Sequence, residues 1–181
     1  MEKDRKELIK RLFILQVREN GISNESYEKL SAEEKETLES RHEKHYLKTE
    51  NRKQITVVMT GGAFDVLHPG HIHLLNEAKR HGDVLIVSVA RDELVLKKKN
   101  KLIHPQDLRA YIVEHLKPVD LALVGVDDPQ KTLERVQPDV IVYGYDQTPF
   151  LKPEGVKIIK LEEAHFPEKY KSSKIAEKLG L

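Results

Sequence analysis

The chain has 181 residues, 39% of them apolar, which suffices for one domain with a true core and an appendage. Its 31 basic residues are balanced by 30 acidic ones, so bulk charge exerts no pull toward nucleic acid or an anionic membrane. Cysteine is absent, which excludes disulfides, thiolate metal sites and a cysteine nucleophile, and the start is charged on both signs with no membrane-length apolar run, so a cytoplasmic protein is expected.

Residues 1–54 read as a helical amino-terminal extension, denser in charge than the remainder. Leu8, Leu12 and Leu15 recur at helical spacing, and Gly21 is placed to end that helix. Ser31 and Glu34 form a capping-box pattern that predicts a second, long helix toward Lys48, with Leu38 and Leu47 as its few apolar anchors. Such a segment suits a helical brace or a partner-binding arm, and a homodimer is compatible with it.

Residues 55–181 repeat strand, loop and helix. The short apolar runs Ile55–Thr60 and Val84–Ala90 predict strands covered on both faces. A helix carrying Ile72, Leu75 and Ala78 lies between them, closed by Gly82. Further on, a helix over Gln106–Leu116 leads into a strand at Val119–Val124, and a helix over Gln130–Val136 into a strand at Asp139–Tyr143. Val156–Leu161 supplies a fifth strand and Ser172–Leu179 a last helix. The alternation predicts an α/β fold: a Rossmann-like parallel five-stranded sheet with helices on both faces. Ligands of such sheets bind beyond the carboxyl ends of the strands, so the loops after Thr60, Ala90, Val124 and Tyr143 should share one rim.

The first of these loops reads Gly61-Gly62-Ala63-Phe64-Asp65-Val66-Leu67-His68-Pro69-Gly70-His71. Two glycines directly after a strand let backbone approach a ligand and turn N–H groups toward an anion. Pro69 suits the first position of the next helix, so His68 and His71 flank a helix N-terminus that already favours phosphate. Imidazoles there can donate to phosphoryl oxygens as charge develops during displacement at phosphorus. A lone histidine beside a helix start is commonly a surface or capping residue. The pair, in HPGH behind a strand and Gly-Gly, favours function. A zinc site from His68, His71 and Asp65 lacks an evident fourth ligand, and neither the P-loop nor the three-glycine dinucleotide fingerprint is present.

The text GGAFDVLHPGH, followed by a helix and AKRHGDVLIVSVARDE, resembles the signature of the cytidylyltransferase-like nucleotidylyltransferase superfamily, G-x-F-D-x-x-H-x-G-H. The likeness spans nearly all of residues 55–179. It departs at Ala63, where many members carry Thr, leaving backbone N–H groups to serve the phosphates. The resemblance implies in-line attack by an acceptor phosphate on the α-phosphorus of a nucleoside triphosphate. Pyrophosphate leaves, Mg²⁺ accompanies the triphosphate, and His68 and His71 hold it. Gly61, Gly62, Ala63 and Phe64 would line the nucleotide.

Other segments take their expected roles from the same resemblance. The run Leu96-Lys97-Lys98-Lys99-Asn100-Lys101 reads by itself as a solvated charge run, but it matches a lysine-bearing loop that closes over the phosphates, a role open to Lys97, Lys98, Lys99 and Lys101 alike and written here for Lys99. Arg109 resembles the family arginine on the helix beyond that loop, and reads equally as a surface residue. In Tyr143-Gly144-Tyr145-Asp146-Gln147, Gly144 permits close approach of the nucleoside and Asp146 can accept from ribose or base, although a plain strand-ending turn has the same text. Ser172 and Ser173 cap a helix and match a shortened Ser/Thr motif at the triphosphate, with Lys169 or Lys171 in place of its usual arginine.

The segment V-I-V-x-G-x-D-Q and the stretch LIHPQDLRAYIVEHLKPVD particularly resemble archaeal FAD synthetases. The expected partners are therefore ATP, or CTP, and a phosphorylated acceptor, foremost FMN, with no nucleic acid and no membrane. Cytidylyl transfer to glycerol phosphate or another polyol or headgroup phosphate is the nearest alternative, followed by sugar-phosphate adenylyl transfer. A non-catalytic nucleotide sensor or scaffold is the reading of a different class.

Overall fold

In the computed structural model, residues 2–97, 101–126, 128–162 and Ile175 are described. The chain divides after Thr56 into two compact units.

The first unit starts with α1 (Glu2–Glu19), which buries Ile9, Leu12, Phe13, Gln16 and Val17, a stripe at helical spacing. Leu8 and Leu15 flank this stripe and stay half-buried. The helix stops where Asn20 and Gly21 take left-handed φ values of 53° and 93°, and Gly21 N–H donates to Gln16 O at 2.7 Å. α2 (Asn24–Glu28) and α3 (Ala32–Glu36) are single turns.

The capping box at Ser31 and Glu34 forms as expected, but the long helix toward Lys48 does not. After α3 the chain enters an antiparallel hairpin, β1 (Leu38–Arg41) and β2 (Lys44–Leu47), turned by His42 and Glu43 with φ of 48° and 63°. Two residues with positive φ are what a tight hairpin turn requires. Leu38 and Leu47 are not anchors of a long helix but partners across the ladder. Along β2, burial alternates through His45 and Leu47, the period of a strand. His45 stacks on Tyr27 with ring centroids 3.6 Å apart and bonds Ser40 and Asn24 through its two ring nitrogens at 3.0 and 2.9 Å. The unit closes with α4 (Thr49–Arg52) and is mixed α and β, not wholly helical.

The second unit holds β3 (Val57–Gly62), α5 (Pro69–Lys79), β4 (Val84–Val89), α6 (Asp92–Leu96), α7 (Gln106–Glu114), β5 (Leu121–Val124), α8 (Pro129–Val136), β6 (Val140–Tyr143) and β7 (Lys157–Lys160). The five strands form one parallel sheet in the order β5-β4-β3-β6-β7. Strand order therefore reverses at β3, between β4 and β6.

Side chains alternate between the two faces. Val58, Leu85, Val87, Ala122 and Val142 join Leu74, Leu75 and Ala78 of α5 and Ala110 and Val113 of α7 in one core. Met59, Ile86, Leu121, Leu123 and Ile141 are buried on the opposite side. There Thr132 of α8 lines a cavity together with Met59 and Ile141. Helices thus cover both faces, as the alternation of apolar runs predicts. The predicted last helix over Ser172–Leu179 lies outside the described residues apart from Ile175. No helix among the described residues is long and apolar enough to cross a membrane.

Candidate active site

All four expected loops meet at one end of the sheet. Gly61 and Gly62 at the end of β3 with Ala63 after it, Ala90 and Arg91 after β4, Gly125 and Val126 after β5, and Tyr143 at the end of β6 with Gln147 beyond it line a single cavity of about 490 Å³. Its remaining wall is largely apolar, with Leu94, Val95, Phe150 and Leu151 among the lining residues. Phe150 is 72% exposed, unusual for a phenyl ring, and meets Tyr143 edge-on at 5.9 Å between centroids. The Tyr143 hydroxyl accepts from Leu151 N–H at 3.2 Å, which ties this aromatic lip to β6.

Beside the cavity the chain leaves β3 through a strained turn. Phe64 is 2% exposed and holds φ at 51°, a left-handed conformation that a bulky side chain rarely adopts. Its ring folds back so closely that a Cβ on Gly62 would stand 3.0 Å from Phe64 Cε2, which explains glycine there. The Phe64 ring also packs against His71 at 5.0 Å, and His71 stacks on His68 at 3.8 Å. His68 is the N-cap of α5, Pro69 follows at its start, and His71 N–H donates to His68 O at 2.9 Å. The two imidazoles are therefore brought together on the first turn of a helix, where backbone N–H groups and the dipole favour an anion.

Asp65, the third residue of the conceivable zinc site, is committed elsewhere. It is buried, and its carboxylate accepts from Ile103 N–H at 3.1 Å and from His104 N–H at 2.8 Å, so it shapes the loop that precedes α7. Among the described residues no group of three or more histidine, aspartate or glutamate side chains converges as a metal cage.

Arg109 departs from its expected position at the phosphates. It is 0% exposed, and its guanidinium is turned inward as a brace. Nε donates to His104 O at 2.9 Å, Nη1 to Ala63 O, and Nη2 to Ala90 O at 2.7 Å and to Asp92 Oδ1 at 2.6 Å. One side chain thus fastens the loops after β3 and β4 and the segment before α7. A planar fork with several donors suits that task, and a lysine would not.

Gly144 is buried, and its N–H is taken by Gln147 Oε1 at 2.8 Å. Asp146 is exposed and is not among the cavity-lining residues. Lys97 and Lys101 are exposed, whereas Lys98, Lys99, Ser172 and Ser173, with Lys169 and Lys171, lie outside the described residues. Among the lining residues to which the sequence assigns no role are Arg91 and Gln147. Arg91 pairs with Glu93 at 2.9 Å. Its only signal in the sequence was a cation placed directly after an apolar strand.

A five-stranded parallel sheet with helices on both faces and a cavity at the reversal of its strand order defines a Rossmann-like α/β domain. Residues 59–178 match the model of the cytidylyltransferase-like family, and the chain belongs to that family. A protein named FAD synthase from Aciduliprofundum boonei is 55% identical over 91 residues, covering 50% of this chain and 61% of that protein. Another from Ferroglobus placidus is 41% identical over 132 residues, covering 67% of this chain and 86% of that protein. The chain thus spans only about three fifths of the length of the first of these. The crystal structure of the lipopolysaccharide core biosynthesis protein from Thermoplasma volcanium superposes with a TM-score of 0.54 at 39% identity, covering 59% of this chain and 96% of that one.

Proposed function

We propose that this protein transfers the adenylyl group of ATP to the phosphate of FMN, forming FAD and pyrophosphate. The observation that carries the proposal is the stacked His68–His71 pair on the first turn of α5, a few residues beyond the Gly61–Ala63 backbone that lines the apolar cavity. The imidazoles do not line that cavity themselves, and His68 lines a second one with Lys79 and Arg80. The relatives named FAD synthase support the choice of acceptor. An apolar cavity with an exposed phenyl at its lip suits a flat heteroaromatic body.

A phosphate oxygen of FMN attacks the α-phosphorus as the bond from that phosphorus to the bridging oxygen of the β-phosphate breaks. The electron pair of that bond leaves with pyrophosphate. His68 and His71 donate to phosphoryl oxygens, and the N–H groups at the start of α5 add fixed positive dipole. The brace from Arg109 keeps the loop carrying these groups aligned with the loop after β4. Positioning and charge neutralisation then supply most of the rate, as is usual for transfer at phosphorus. Mg²⁺ bound with the triphosphate would supply charge neutralisation at the phosphates; no side chain among the described residues is assigned to hold it. Lys99, Ser172 and Ser173 are proposed to touch the phosphates, and Gly144 and Asp146 to face the nucleoside.

The test is pyrophosphate release with ATP or CTP, each offered FMN, glycerol 3-phosphate and heptose 1-phosphate in turn. FAD formation with ATP and FMN alone is expected. Turnover of CTP with glycerol 3-phosphate and none with FMN would replace the acceptor. Silence with every pair would leave a nucleotide-binding scaffold.

A further inference from the structure

The ladder between β3 and β6 pairs Val58 with Val140 and Met59 with Ile141 and ends there, although β3 runs on to Gly62 and β6 to Tyr143. On its other edge β3 stays paired with β4 as far as Gly62 and Val89. The sheet therefore parts on one side only, at the reversal of strand order.

Two side chains bridge the opening. Thr60 Oγ1 donates to Val142 O at 2.8 Å. Beyond it, the Gln147 carboxamide accepts from Gly144 N–H at 2.8 Å and donates to Gly61 O at 2.9 Å. A carboxamide offers one acceptor and donors side by side, as a peptide group does, so Gln147 stands in the gap as an inserted rung. Direct backbone pairing would satisfy the same two groups but would draw the strands to ladder spacing. Gln147 and Gly61 both line the cavity.

We infer that Gln147 is a positioning residue of the transfer reaction: its carboxamide sets the width of the crevice between β3 and β6 and so aligns the Gly61–Ala63 backbone with the bound nucleotide. The inference rests on reading the cavity as the substrate site. Removing the rung leaves Gly61 O and Gly144 N–H without it, and the two strand ends lose their fixed separation. Misplacement of this order is costly in a reaction governed by alignment.

The experiment compares wild type, Gln147→Met, which keeps length but no polar group, and Gln147→Glu, which keeps the acceptor toward Gly144 and loses the donor toward Gly61. Amide exchange at Gly144 in the ligand-free protein is expected to quicken in Gln147→Met and to stay slow in Gln147→Glu. In FAD formation both variants should lose on the order of ten- to a hundredfold in kcat/KM at a temperature where both remain folded, beside a modest drop in thermal midpoint from the lost hydrogen bonds. Unchanged exchange in Gln147→Met overturns the rung. Quickened exchange with normal kcat/KM, or a lowered midpoint as the sole effect, overturns the positioning role. If wild type forms no FAD, the choice of acceptor fails separately, and ATP affinity measured by calorimetry replaces turnover as the readout, with a tenfold or greater loss expected in both variants. Equal ATP affinity in all three proteins, or none in wild type, would then overturn the inference.

Discussion

Arg109→Met removes a buried guanidinium while keeping most of the volume of its stem. Four hydrogen bonds disappear, to His104 O, Ala63 O, Ala90 O and the Asp92 carboxylate. Breaking a buried ion pair from one side costs about 3–5 kcal/mol, because the remaining charge is stranded. The Asp92 side chain is 31% exposed, so water recovers part of its solvation, which favours the lower end of that range at about 3 kcal/mol. A loss of that size is a large share of the roughly 5–15 kcal/mol that holds a typical domain. Arg109→Lys keeps the charge but cannot span the acceptors of a planar fork, and should lose roughly 1.5–3 kcal/mol. Urea unfolding of the three proteins measures these values. FAD formation should fall in the same order, with lysine restoring part of the rate. If Arg109→Met unfolds within about 0.5 kcal/mol of wild type, like an ordinary surface change, the brace is refuted.

In the first unit, Glu43 sits in the hairpin turn with φ of 63°, so Glu43→Gly should stabilise by about 1 kcal/mol, seen as a higher urea midpoint. An unchanged or lower midpoint would count against the turn. Glu19 gives a pH dependence. Burial pushes its carboxyl up, but the N–H of Ser23, the Ser26 hydroxyl and the charge of Lys44 outweigh that and hold it below its ordinary value. Its contribution is present above the unfolded value of about 4.3 and is lost as pH falls through the folded value. The stability gap between wild type and Glu19→Gln should therefore shrink on acidification below about pH 4.3. A gap of constant size from pH 7 to 3 would sink this assignment.

The parallel sheet was legible because its strands are continuous apolar runs separated by helices of the other period, and β3 and β4 carry that pattern most plainly. The rim was legible for the same reason, since a strand's end marks where its loop must lie. The hairpin at 38–47 was not. Ser31 and Glu34 signal a helix start truthfully, but nothing local marks its end after one turn, and His42-Glu43 lacks the asparagine or glycine that announces a tight turn. Arg109 showed the complementary limit. Its identity and helix were readable, yet burial and its acceptors depend on chain segments up to 46 residues away. Gln147 reaches 86 residues back to Gly61, a pairing that only the sheet order creates. Sequence thus marked where the loops converge, and the structure showed which side chains tie those loops together, as Arg109 and Gln147 do.

His68 and His71 are proposed to act together on the α-phosphate of the adenylyl group as it is transferred. The most direct test is the single-turnover rate of FAD formation from ATP and FMN in wild type, His68→Ala and His71→Ala at saturating substrates. Each variant is expected to lose on the order of a hundredfold in rate, as when one transition-state donor is removed. FAD formation at near-normal rates in both variants would contradict the account.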